Sequence, residues 1–333
     1  NPIEKLIQNR FFKKAQSKLA SSKAIRIGIT GSYGKTSTKF ILGTILSEKY
    51  KVLVTPASYN TPMGVSKCIN ENLSEEHDIF IAEMGAAHKG DIAELCRLVH
   101  PQYGILTSVG RQHLETFGSI DNIIKTKFDL IRSLPHNGAA FFNGDNKICA
   151  DLSRREIICE TKYVYGISQE DFYMRADDIS CGSEGSSFTL MCSDGSSIKC
   201  RTALLGQHNI INIVGCAAIA YALGLTMEQI ASGIAKAEPV EHRLQLIKGA
   251  GGVNVIDDAF NSNPEGAKAA LETLGQFPGT RVVITPGMVQ LGSSEEEENT
   301  KLGHIIAQYA DIAILVGKKR TAPIREGLIK AGF

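Results

Sequence analysis

The stretch Ile25-Arg26-Ile27-Gly28-Ile29-Thr30-Gly31-Ser32-Tyr33-Gly34-Lys35-Thr36-Ser37 reads as a short apolar strand, a glycine turn and the opening of a helix. Gly31 and Gly34 let backbone N–H groups turn toward an anion, and the helix N-terminus behind them adds positive potential. Lys35 is placed to reach the β- and γ-phosphates of a nucleoside triphosphate, and the Thr36 hydroxyl to bind Mg²⁺. Only two residues separate the glycines, where the standard loop has four. The bland alternative is an ordinary strand–turn–helix loop. Gly-Lys-Thr between a buried strand and a helix is the more specific context.

Outward from this loop, strands and helices alternate. Apolar runs at 52–55, 79–83, 103–108 and 139–143 predict strands, and 37–49, 64–73, 90–98 and 120–134 predict helices. That order predicts a doubly wound, mostly parallel sheet. Residues 3–20 predict an amphipathic lead-in helix. From 162 to 204 the character changes: runs at 188–192 and 197–201 flank Ser193-Asp194-Gly195-Ser196, an Asp-Gly hairpin signal. Helices resume at 209–223 and 226–237. A linker is expected near 241–244, and then a second α/β unit with strands at 253–257, 281–285 and 312–316 and helices at 264–274, 295–310 and 322–330. Ser293-Ser294-Glu295-Glu296-Glu297 predicts a helix start with a capping box, its acidic run a solvated first turn. The expected fold is therefore α/β: a phosphate-loop domain with a small antiparallel addition, followed by a second, Rossmann-like domain. The expected boundaries are a lead-in over 1–24, a first domain over 25–242 and a second over 243–333.

Bulk properties narrow the function classes. A chain of 333 residues carries a net charge of +1, which gives no basic field for nucleic acid. No apolar window is long enough to cross a membrane. Eight scattered cysteines include no C-x-x-C pair, so reduced thiols in a cytoplasmic, monomeric protein are expected. Cys181, Cys192 and Cys200 lack zinc spacing and read as small apolar residues on strands.

Two further strand ends carry polar groups. Glu83 closes an apolar strand in Ile81-Ala82-Glu83-Met84-Gly85-Ala86-Ala87-His88, at the carboxyl edge where doubly wound sheets bind ligands. A carboxylate there can hold Mg²⁺ directly or through water. Thr107-Ser108-Val109-Gly110-Arg111-Gln112-His113-Leu114-Glu115 follows the next strand, and Lys125 and Lys127 come later on a helix. A lone histidine or lysine is more often structural or solvated. Three adjacent strand ends with ligand-capable groups point instead to one site.

Ordered segments along the chain resemble the Mur ligases. They are Thr30-Gly31-Ser32 with Gly34-Lys35-Thr36-Ser37, Tyr59-Asn60-Thr61-Pro62-Met63-Gly64, Glu83-Met84-Gly85 with His88, His113-Leu114-Glu115 with Phe117-Gly118-Ser119, Gly206-Gln207-His208-Asn209 with Asn212, Glu241-His242-Arg243, and Asp257-Asp258-Ala259-Phe260-Asn261-Ser262-Asn263-Pro264. Gly287-Met288 with Leu291-Gly292 agrees with them. The likeness runs over about 25–333 and is strongest to the MurF-type branch, which adds D-alanyl-D-alanine to a UDP-muramoyl tripeptide. It implies an ATP-dependent, amide-forming ligase of peptidoglycan precursor synthesis. Lys35 and Thr36 match phosphate and Mg²⁺ contacts, with Gly31, Ser32, Gly34 and Ser37 around them. Glu83 matches a Mg²⁺ ligand. His113 matches the histidine of a second Mg²⁺ site, and Lys127, rather than Lys125, a carbamylated lysine at that ion. Asn60, Asn209, Asn212, Asp258 and Asn261 match nucleotide-contacting positions, and Arg243 an arginine that reaches the phosphates.

The branch also carries a UDP-binding domain on its N-terminal side, whereas only about 24 residues precede the first strand here. That domain is expected upstream of Asn1, or the acceptor is handled differently. Thr285-Pro286-Gly287-Met288 replaces the usual Gly-Asp-Met, and Phe260 a frequent tyrosine. Two other readings stay open: a Mur-like ligase with a different cell-wall or poly-amino-acid acceptor, and a non-catalytic ATP-binding regulator.

Overall fold

The computed structural model describes every residue except Asn1, Ser58, Arg111, His113, Asn261 and Gln290; for 2–7 and Leu114 only the backbone is described. Helix α1 (Pro2–Ala20) leads into β1 (Ile25–Thr30), α2 (Lys35–Leu46), β2 (Val52–Val54), α3 (Pro62–Asn72), β3 (Ile79–Glu83), α4 (Asp91–Val99) and β4 (Tyr103–Leu106). Short α5 (Leu114–Phe117), α6 (Ile120–Arg132), β5 (Ala139–Asn143), α7 (Lys147–Ser153) and β6 (Thr161–Gly166) complete the parallel part. Strands β7 (Met174–Gly182), β8 (Gly185–Cys192) and β9 (Ser197–Thr202) precede α8 (Gln207–Ala222) and α9 (Met227–Lys236).

These strands form one sheet of nine, in the order β2-β3-β1-β4-β5-β6-β7-β8-β9. Pairing is parallel from β2 to β7 and antiparallel from β7 to β9. The antiparallel addition is thus an extension of the main sheet rather than a separate layer. Its Asp-Gly turn is the predicted one: Gly195 takes φ +90°, and Asp194 Oδ1 accepts from Ser196 N at 2.8 Å. Two apolar layers sandwich the sheet. One packs α2, α8 and α9 against Ile27, Ile29, Ile81 and Phe141. The other packs α1, α3, α4 and α6 against Phe80, Ala82, Leu106 and Phe142. Alternate residues of one strand feed opposite layers, as a strand covered on both faces must.

Strand β10 (Gln245–Lys248) follows and pairs antiparallel with β11 (Asn254–Asp257). Then come α10 (Pro264–Leu274), β12 (Val282–Thr285), α11 (Glu295–Tyr309), β13 (Ile312–Leu315) and α12 (Ala322–Lys330), with β12 and β13 parallel. The second unit therefore opens with a hairpin: its second strand is the one expected at 253–257, and its first, β10, lies at 245–248, between that strand and the expected linker at 241–244. Pairing with 254–257 makes it a strand, and four residues with polar ends carry too little periodicity to show it. Strand β6 and helices α5 and α7 also lie where no element is expected.

Helices α2, α3 and α8 start two residues earlier than expected, and α11 starts where expected but without the expected cap. Helix α2 begins at Lys35, not 37, because Gly34 at φ +81° already turns the chain into it. Helix α11 has no capping box. A 3₁₀ turn over Gly292–Ser294 leaves Ser294 at φ −92°, ψ −1°, without the side-chain bond a cap requires. All eight cysteines are free thiols. Among the described residues, no helix is long and apolar enough to cross a membrane.

Candidate functional site

The phosphate loop leaves β1 in the middle of the sheet, and the segment after β4 holds it. Ser32 N donates to Ser108 O at 2.7 Å. Ser32 Oγ donates to Gly110 O at 3.1 Å and accepts from Gly110 N at 3.0 Å. Tyr33 N donates to Ser108 Oγ at 2.9 Å, and Thr107 Oγ1 donates to Tyr33 O at 2.6 Å. The two residues between the glycines are thus bound through backbone and side chain alike. The glycines themselves leave no room: a Cβ on Gly31 would lie 2.0 Å from Thr107 Oγ1, and one on Gly34 2.7 Å from Asn212 Oδ1 of α8. The short loop is tight because two neighbouring elements close on it.

Two lysines converge on one carbonyl of that loop. Lys35 Nζ donates to Gly31 O at 2.8 Å and to Ser32 O at 3.2 Å. Lys127 Nζ, from α6, donates to Gly31 O at 2.9 Å. Lys127 lies on the face of α6 that also buries Ile123, Leu130 and Ile131, whereas Lys125 faces outward. Burial lowers the Lys35 ammonium to about 8, with Glu83 opposing and Arg243 adding to the fall. Burial takes Lys127 well below the usual lysine range, and the Lys35 charge takes it further.

Glu83 ends β3 beside the loop and is fully enclosed. Its Oε1 accepts from Thr36 Oγ1 at 3.1 Å and from Asn60 Nδ2 at 3.2 Å. Its Oε2 lies 3.1 Å from Lys39 Nζ, whose ammonium also donates to Ala57 O. Lys39 occupies one side of this buried carboxylate oxygen, which keeps a further lone pair open. That oxygen and the Thr36 hydroxyl fit a divalent cation that shares its shell with phosphate oxygens, the usual habit of Mg²⁺. Among the described residues no group of three or more His, Cys, Asp or Glu comes together. Lys127 fits carbamylation: burial and the Lys35 charge favour its neutral amine, the form that adds CO₂.

The second unit supplies the opposite wall. Arg243 stacks on the Phe260 ring at 4.3 Å. Burial lowers its guanidinium, offset by Glu83 and then Asp258. Asp258 Oδ1 accepts from Leu244 N at 3.1 Å, and burial raises this carboxyl to about 6. Glu265, at the start of α10, reaches the loop side: its Oε1 would lie 3.3 Å from a Cβ on Gly110. Leu205, Leu244 and Phe277 pack together at the seam.

The structure thus brings together Gly31, Ser32, Gly34, Lys35, Thr36, Glu83, Asn60, Lys127, Asn212 and Arg243. Asn60 meets Glu83, so its contact here is with the carboxylate. Asn209 is buried, with its Nδ2 donating to Leu205 O at 2.8 Å. Ser37 is half-buried on α2. His113 and Asn261 lie outside the described residues. The sequence reading missed Lys39 and the clamp made by Thr107 and Ser108. Lys39 had a signal: it shares the buried face of α2 with Leu42 and Leu46 at helical spacing.

Comparison with known proteins agrees with this geometry. The Mur ligase middle domain matches residues 29–220, and the Mur ligase glutamate ligase domain matches residues 242–332. The UDP-N-acetylmuramoyl-tripeptide–D-alanyl-D-alanine ligase of Escherichia coli K12 is 33% identical over 301 residues, 89% of this chain and 65% of its own length. The enzyme of the same name from Bacillus subtilis is 30% identical over 91% of this chain and 65% of its length. The chain therefore spans about two-thirds of these relatives. Among solved structures, MurF of Acinetobacter baumannii superposes with a TM-score of 0.88 at 29% identity, covering 96% of this chain and 69% of that one. MurF of Thermotoga maritima in complex with ADP gives 0.87 at 26%, covering 95% and 72%. Taken with the phosphate loop and the two α/β units that face each other across it, these matches show that the chain belongs to the Mur ligase family.

Proposed function

We propose that this chain carries the ATP-binding and C-terminal domains, over 25–242 and 243–333, of a MurF-type ligase that adds D-alanyl-D-alanine to a UDP-muramoyl tripeptide. The observation that supports it best is the convergence of Lys35, Lys127, Thr36 and Glu83 on one phosphate loop, with Arg243 facing them. When bound, ATP supplies the phosphoryl group that makes the acceptor carboxylate an acyl phosphate, which the incoming amine displaces to give the amide, ADP and phosphate. Two anions must meet in that step, and Lys35 and Arg243 offset their repulsion with fixed positive charge. Thr36 and Glu83 would hold one Mg²⁺, and His113 with a carbamylated Lys127 a second. Asn212, against Gly34, keeps the loop's glycine turn in place. Closure of the Arg243–Asp258 wall over the loop would exclude water from the activated acyl group. The reading places the enzyme in the cytoplasm, as a monomer, with small-molecule partners and no role for nucleic acid or membrane.

The test is turnover. The full-length protein is incubated with ATP, Mg²⁺, D-Ala-D-Ala and a panel of acceptors that includes UDP-muramoyl tripeptide, and phosphate release and product mass are measured. Ligation to the muramoyl tripeptide is expected. Turnover only with another acceptor would reassign the substrate. Tight ATP binding with no turnover on any acceptor would make the chain a regulator.

A further inference from the structure

Lys39 has no part in the reading above, yet it is the most enclosed charged side chain of the site. It sits one turn after Lys35 on α2, fully buried, with its Nζ 3.1 Å from Glu83 Oε2. Its hydrogen bond goes to Ala57 O. Ala57 is a non-glycine residue at φ +41°, a conformation that carries strain and persists where neighbours hold it. The same connection between β2 and α3 carries Asn60, which binds the other oxygen of Glu83. Lys39 thus ties together helix α2, this connection and the end of β3. The charges around Glu83 also matter. Lys35, Lys39 and Arg243 all act on it, three cations around one carboxylate.

We infer that Lys39 is a positioning residue that presets Glu83 and serves as its resident counter-ion, so that the divalent cation enters only together with the nucleotide's phosphates. This rests on the ATP-dependent reading above. A buried carboxylate needs a partner, and Lys39 supplies one that is covalently fixed. A free divalent cation approaching Oε2 then meets an ammonium already 3.1 Å from its ligand oxygen, as well as the neighbouring cations. Phosphate oxygens bring the missing negative charge. Oε2 can then accept the cation on its further lone pair without Lys39 leaving Ala57 O. Removing the Lys39 charge removes the strongest local repulsion.

Mn²⁺, a spectroscopic stand-in for Mg²⁺, tests this on the full chain by electron paramagnetic resonance, with and without ATP. Without nucleotide, wild type and Lys39→Arg are expected to bind Mn²⁺ weakly, and Lys39→Met roughly tenfold or more tightly. Glu83→Gln added to Lys39→Met should abolish that gain. With ATP present, the difference between wild type and Lys39→Met should narrow. A folded Lys39→Met with wild-type Mn²⁺ affinity would overturn the inference. So would tight nucleotide-free binding by wild type that Glu83→Gln removes, a result that needs no Lys39 variant to fold. Lys39→Gln replaces Lys39→Met if the latter does not fold. Failure of wild type to bind Mn²⁺–ATP at all would instead sink the ATP-dependent reading, so the two failures are distinguishable.

Discussion

The strands on the two sides of the site are packed differently. In β3 and β5 every residue is buried. In β12 and β13 exposed and half-buried residues alternate, and Ile284 is 68% exposed. Apolar packing of the second unit is two small clusters, one mainly on α10, α11 and α12 and one at the seam with the first unit, against two large layers in the first. The phosphate loop therefore grows from a strand fixed on both faces, whereas Arg243 and Asp258 hang on thinly packed elements. Local stability follows such packing. The phosphate wall is held from both faces of the sheet, and the facing wall from one side only.

Mutations that take one wall at a time can break this comparison. Lys35→Ala should give the largest effect: phosphate release falls about 10³-fold or more while the fold, read by circular dichroism, is kept. Arg243→Ala should cost about 10- to 100-fold, since Lys35 remains to offset the same charge. Equal losses would erase the distinction between the walls. The next effect is on stability. Ile27→Ala, fully buried in β1, should cost about 2–4 kcal/mol in urea unfolding, and Ile284→Ala less than about 0.5 kcal/mol. A large loss at Ile284 would show that the second unit is better packed than its exposure indicates.

A pH effect lies at the seam, where a side chain on Gly206 would meet both His208 and Thr273 of α10. His208 Nδ1 is buried without a partner, and burial lowers this imidazole to about 4. The unfolded chain takes up that proton below about pH 6.5, while the folded one resists until about 4. Stability should therefore fall as pH drops from about 6.5 to 4, by up to about 3 kcal/mol. His208→Gln should flatten that part of a melting-temperature profile. An unchanged profile would mean that the ring is hydrated in solution.

Much of the architecture was legible in the residues. The limits of β1, β3, β5, α10 and α12 agree with their sequence signals, because each is an uninterrupted run with turn residues at its ends. Helix α5 and strand β10 were not legible: each has four residues with polar groups among them, whereas the equally short β12 and β13 are nearly unbroken apolar runs. The Ser294 cap failed for a different reason, since the chain enters α11 through a 3₁₀ turn that no local pattern announces.

In the candidate site, the sequence by itself determined residue chemistry and order. Glycines able to turn, a lysine and a threonine at a helix start, and a glutamate at a strand end all follow from type and spacing along one segment. Only tertiary structure decided their partners. That Lys127 meets Gly31 O across 96 positions, that Asn60 and Lys39 divide the two oxygens of Glu83, and that Thr107 and Ser108 clamp Tyr33 depend on which strands lie side by side. Strand order places β3 and β4 on either side of β1, and burial then makes each unpaired charge costly until it finds a partner. Sequence spacing cannot carry that information, because the groups that satisfy one another are neighbours in the sheet and not in the chain.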